Sequence, residues 1–153
     1  VQVVRAGDDP SESLLDVSVP IEADTVNLVA AVGVLGQGTF GLQLINENPE
    51  PTSEGEARIS VVHAIPFDEG IDLQANDTLI VENLFFPQLA GANDGYATVD
   101  VIAQTYELTV LSNNNRIRLN VGSLIAGAGR HYLIAVVGFE RAPLFLLEAT
   151  DAP

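Results

Sequence analysis

The octapeptide HYLIAVVG, His131 to Gly138, repeats with few changes a stretch met much earlier, VNLVAAVG, Val26 to Gly33. Each is an apolar run of strand length closed by a glycine, and each is followed by turn residues and a second apolar run. The resemblance extends outward from both copies. The first region runs VQVV, turn, LLDVSVPI, turn, TVNLVAAVGVL, turn, FGLQLI, then proline. The last region runs YELTVL, turn, RIRLNVGSLI, GRHYLIAVVGF, turn, PLFLLEA, then proline. Both give four strands in one order and of similar length, which is the signature of a repeat.

Strand signals dominate elsewhere too. Polar and apolar residues alternate in LDVSVPI, RISVVH, IDLQ and RIRLNV, the period of a pleated strand. Between these runs lie GDDPSES, LGQGTFG, PFDEG, AGANDG and SNNN, all rich in turn formers. No window carries an apolar stripe of helical period between a cap and a glycine stop. The fold class expected is all-β: an immunoglobulin-like antiparallel β-sandwich, one complete repeat preceded by a C-terminal half-repeat. The stretch NENPEPTSEGE, Asn46 to Glu56, has two prolines and four glutamates and no large apolar residue, and reads as a solvated linker. The chain then divides into a half-repeat of four strands at 1–49, a linker at 50–56 and a complete sandwich at 57–153.

The 153 residues are 47% hydrophobic, enough to build a core, and contain no cysteine, methionine or tryptophan. Disulfides and thiolate metal sites are therefore impossible. The formal net charge is −15, and the six basic residues are all arginine: Arg5, Arg58, Arg116, Arg118, Arg130 and Arg141. So acidic a surface repels nucleic-acid backbones and anionic headgroups, which argues against nucleic-acid and membrane partners. It suits solubility, high ionic strength or divalent cations. The longest apolar run, LIAVVGF from Leu133 to Phe139, falls far short of the roughly 18 residues a membrane helix needs. With neither an initiator methionine nor a signal pattern, Val1 reads as a processed or clipped end.

Three segments, ARISVVHAIPFDEGIDL from Ala57, GYATVDVIAQTYELTV from Gly95 and LIAGAGRHYLIAVVG from Leu124, resemble the family catalogued as domain of unknown function 4397. The resemblance covers Glu56 to Pro153, and Val1 to Pro49 in part. Gln104 stands where the family has a glycine turn, and FFPQLAGAND lengthens one connection. The resemblance implies an immunoglobulin-like sandwich, often in tandem, on secreted or surface-anchored microbial proteins, and brings no catalytic residues with it.

The half-repeat lacks everything equivalent to Ala57 through about Thr105. Its inward-facing candidates are Leu15, Val17, Val19, Val26, Leu28, Val32, Leu42 and Leu44. Burying one large apolar side chain is worth about 1.5–3 kcal/mol, so eight of them rival a typical domain's whole net stability of about 5–15 kcal/mol. Three covers are open: missing strands upstream in a longer chain, packing on the complete repeat in cis, or strands from another copy as in donor-strand polymers. The linker's reach favours the last, and head-to-tail exchange of that kind builds filaments. The expected assembly surface is Val17, Val19, Leu28 and Val32. Phe85 and Phe86 join it as candidates, because adjacent residues in an extended chain point opposite ways and one should leave the core. The competing reading of that pair is a hydrophobic loop plug.

Candidate chemistry is sparse. His63, in VVHA, reads as a strand histidine packed near a sheet edge. No serine, cysteine or acidic partner stands at a motif spacing that would make it a base. Carboxylates gather at Asp8, Asp9 and Glu12, at Asp68, Glu69 and Asp72, and at Asp94 and Asp100. Calcium takes oxygen ligands from such loops, yet none fits the twelve-residue EF-hand pattern. No cofactor is expected, and no metal ligand is assigned. NDT, Asn76 to Thr78, fits a glycosylation acceptor, although asparagine and aspartate are equally good turn formers. The function expected is non-catalytic: a building block of an extracellular surface fibre whose partners are other copies of itself. The alternative is an adhesin module that binds glycan or protein.

Overall fold

In the computed structural model the chain forms two compact units, Val1–Pro49 and Glu50–Pro153. The structure describes residues 1–21, 23, 26–47, 50–66, 70–87, 95–112, 118–139 and 142–151; for 139 and 142–151 this is the backbone, with the side chain of Phe145 alone. Asp68, Glu69, Asp94, Arg116 and Arg141 lie outside the described residues.

The second unit holds β5 (Glu56–His63), β6 (Ile71–Ala75), β7 (Thr78–Leu84), β8 (Tyr96–Ile102), β9 (Thr105–Ser112), β10 (Arg118–Ile125), β11 (Arg130–Phe139) and β12 (Ala142–Asp151). They form two four-stranded sheets in the orders β12-β11-β5-β8 and β10-β9-β6-β7. The fold is an all-β sandwich. Alternate residues turn inward: Ala57, Ile59 and Val61 of β5 and Ile134 and Val136 of β11 meet Leu73 of β6 and Leu108 and Val110 of β9 in one core. Every ladder in these sheets is antiparallel except β5–β11, which runs parallel from His131 beside Arg58 to Val136 beside His63. Alternation reports which side chains turn inward but not which strands lie side by side, so the parallel pair leaves no mark on the sequence.

Two tyrosines pin one end of this sandwich. The Tyr106 hydroxyl donates to the Ile102 carbonyl at 2.7 Å. That of Tyr132 donates to the Ile125 carbonyl at 3.0 Å and accepts from the Gly127 amide at 2.9 Å. The β6–β7 hairpin turns through Asn76 and Asp77, with φ of 50° and 61°, the left-handed pair that suits a two-residue hairpin.

The first unit holds β1 (Gln2–Val3), β2 (Leu15–Asp16), β3 (Val26–Val32) and β4 (Gly41–Glu47), in two antiparallel pairs, β1-β2 and β3-β4. The runs VQVV and LLDVSVPI give shorter strands than their alternation suggests. Beside this short ladder the Val1 ammonium donates to the Val17 carbonyl at 2.7 Å and the Val17 amide to the Val1 carbonyl at 3.0 Å. In the turn region between them, Asp9 caps a 3-10 turn at Pro10–Glu12, its carboxylate accepting from the Ser11 amide at 2.8 Å. The segment GDDPSES therefore carries local helical structure as well as a bend.

Candidate functional site

The β3–β4 hairpin offers a surface that the rest of the chain makes interpretable. Its register sets Val29 opposite Leu44 and Ala31 opposite Leu42, and sets Leu28 opposite Ile45 and Val32 opposite Gly41. Directly opposed residues share a face. One face therefore carries Asn27, Val29, Ala31, Leu42, Leu44 and Asn46, and the other carries Leu28, Ala30, Val32, Gln43 and Ile45.

The two faces differ in burial. Val32, Gln43 and Ile45 are buried. Across the hairpin, Ala31 and Asn46 are exposed, and Asn27, Val29, Leu42 and Leu44 are half-buried. Of the expected assembly surface, Val32 is buried at 4% exposure and is withdrawn, whereas Leu28 on the same face is half-buried. Leu42 and Leu44 lie on the opposite side of the sheet from both. Both faces of the run VNLVAAV are apolar, so periodicity alone left the choice of face undetermined. Val17 is exposed and Val19 half-buried, both just beyond the end of β2.

Of the adjacent phenylalanines, Phe86 is 1% exposed, with its ring edge-on to His63 at a centroid distance of 6.3 Å. It belongs to the interior and is withdrawn from the assembly surface; Phe85 is half-buried. His63 is itself fully buried, accepts from the Ile65 amide at Nδ1 (3.3 Å), and stands on the interior strand β5 rather than at a sheet edge.

The outer face of the β12-β11-β5-β8 sheet carries a polar row that sequence reading did not assemble. Arg58 of β5 is flanked by His131 of β11 and Asp100 of β8 at one level of the sheet. Its guanidinium meets Asp100 through two hydrogen bonds, 2.7 Å from Nε and 2.9 Å from Nη2, and donates from Nη1 to the Glu50 carbonyl at 2.7 Å. Hydrogen bonding to Arg58 holds the Asp100 carboxyl below its usual range; partial burial opposes this, and the charges of Arg58 and His131 assist it. His131 is 8% exposed, and its Nε2 has no hydrogen-bond partner. One level along, the Ser60 hydroxyl lies 3.1 Å from that of Tyr96 and 3.3 Å from that of Thr98. A charged residue inside the strand ARISVVH was the available signal for the row, since a buried arginine requires a partner.

Two further acidic residues have local roles. Asp9 caps the 3-10 turn, and its hydrogen bonds from Ser11 lower its pKa. Asp72 accepts from the Asn83 amide at 2.9 Å, where β6 and β7 slip register. Among the described residues no three His, Asp or Glu gather closely enough to hold a metal ion. The Asn76 side chain accepts from the Glu107 amide at 2.9 Å and donates to the Thr105 carbonyl at 3.4 Å. The acceptor pattern is thus built into a turn that uses its asparagine structurally. No helix among the described residues is long and apolar enough to cross a membrane.

No protein-family model and no curated protein matches the chain. Among solved structures, the C-terminal domain of AlgF from P. aeruginosa is similar over 63% of this chain and 100% of that one, at 11% identity and a TM-score of 0.43. A likeness of that degree bears on neither function nor partner.

Proposed function

We propose that the chain is a non-catalytic structural protein of the cell exterior, a building block of a surface fibre whose first unit is completed by β-strands from another polypeptide. The observation that carries the reading is the half-open apolar face of β3–β4, with Val29, Leu42 and Leu44 left partly exposed. Strand addition at an open sheet edge supplies main-chain hydrogen bonds and apolar burial together. The extracellular setting rests on the sequence resemblance and on the acidic, lysine-free composition. Electron microscopy and sedimentation of unfractionated native material test it: extended polymers are expected, and a population made up only of soluble monomers overturns it.

A binding module is the second reading, drawn from Ile102 and Ile125. At 67% and 77% exposure they stand at the ends of β8 and β10, next to the loops of one end of the sandwich. Monomeric native material that retains a glycan or protein ligand through these residues would favour it.

A further inference from the structure

We infer that the partner of the first unit is a four-stranded segment patterned like residues 56–102, lying outside these 153 residues, and that its first strand adds in parallel along β3. The inference rests on the reading of the first unit as a strand acceptor and names the donor.

The first unit is built as the second half of the second unit. Aligning the two octapeptides sets Val32 against Val137 and Gly33 against Gly138, and the glycines share a left-handed φ, +91° and +99°. Hairpin register follows: Val32 pairs with Gly41 as Val137 pairs with Leu144, and Ala31 with Leu42 as Val136 with Phe145. The β1–β2 pair stands in the same way for β9–β10, with Val3 opposite Leu15 as Val110 is opposite Leu119.

The second unit then shows what each surface receives. The second edge of β11 is taken by β5 in parallel, and that of β9 by β6. Among the described residues β3 and β1 have ladders only with β4 and β2, so the same two edges lack their strands. The faces agree. Ile134 and Val136 are 0% and 1% exposed beneath the opposing sheet, whereas their counterparts Val29 and Ala31 are half-buried and exposed. The open face of β3–β4 is the one that forms the core in the complete sandwich.

Stoichiometry decides against a second copy of residues 1–153 as donor. Among the described residues these carry one front half, β5–β8, and two back halves. A copy that lent its residues 56–102 would uncover Ile134, Val136, Leu108 and Val110 of its own second unit, with no net gain in burial. Copies of residues 1–153 alone therefore cannot complete every unit.

The test adds a second copy of residues 50–107 directly ahead of Val1, which restores the connection found between β8 and β9. The readout is hydrogen exchange of the β3 amides by NMR. The β3 amides not bonded to β4 should exchange about tenfold more slowly or better in the extended chain, and stay unprotected in the original chain at every concentration. Carrying Ile59→Asp in the added copy alone should abolish the gain, while the unaltered second unit reports that the molecule is folded. If extension leaves β3 unchanged, the inference is overturned. If the original chain protects β3 as its concentration rises, the donor is a second copy, and the acceptor reading survives without this donor. If β3 is already fully protected in the dilute original monomer, the acceptor reading fails as well.

Discussion

Arg58 and Asp100, 42 residues apart in sequence, meet through a two-pronged ion pair, Nε to Oδ1 at 2.7 Å and Nη2 to Oδ2 at 2.9 Å. The arginine side chain is 7% exposed and that of the aspartate 34%. The pair thus joins two adjacent strands across a nearly dry interface on one side only. Asp100→Asn should lower stability by about 1.5–3 kcal/mol, the range for hydrogen bonds to charged groups, and toward the low end because water reaches the carboxylate. Urea titration of the two proteins measures the difference. The folded state holds the Asp100 carboxyl low, so the pair's contribution is present above the ordinary aspartate value of 3.8 and is lost as pH falls below it. The two proteins should converge in stability toward the acid end, and a gap that widens on acidification contradicts the assignment.

Gly33 ends β3 at φ +91°, and a Cβ there would lie 2.0 Å from the Thr39 carbonyl oxygen. Gly33→Ala should cost at least about 1–2 kcal/mol from backbone conformation alone, with the steric clash added. Exchange protection should fall in β3 and β4 and be unchanged in β5 through β12. An unaffected hairpin would mean that the turn adopts another path.

At the β6–β7 turn, Asn76→Gly keeps the left-handed backbone available, whereas Asn76→Ala does not. The alanine variant should be the less stable by about 1–2 kcal/mol, as read by thermal melting. Mass spectrometry of protein from a glycosylating host should show Asn76 unmodified, because its amide already serves β9.

Removing the Tyr132 hydroxyl strands two backbone groups at once, the Gly127 amide and the Ile125 carbonyl. Tyr132→Phe should destabilise the second unit by about 1–3 kcal/mol, with the nearby amides of the Ile125–Arg130 turn exchanging faster. Equal exchange in both proteins would show that water replaces the hydroxyl at no cost.

With a formal charge of −15, self-repulsion opposes the compact state. The melting temperature should climb as sodium chloride is raised and level off once the Debye length becomes short against the spacing of surface charges. A melting curve indifferent to salt would remove repulsion as a determinant of stability.

Sequence alone determined the all-β class and, among the described residues, the strands of the second unit and its β6–β7 turn. Each depends on neighbours in the chain: alternation in RISVVH, the left-handed Asn76 and Asp77, and proline and glycine where strands end. It did not show which face of VNLVAAV is open, since Leu28 and Val29 are equally apolar. Nor did it show that Phe86 closes over His63 or that Arg58 meets Asp100. Only tertiary structure decided these, along with the parallel seating of β5 beside β11. Sheet order, register and burial come from contacts between residues tens of positions apart, and a period of two states that a strand has two sides without stating what lies against either.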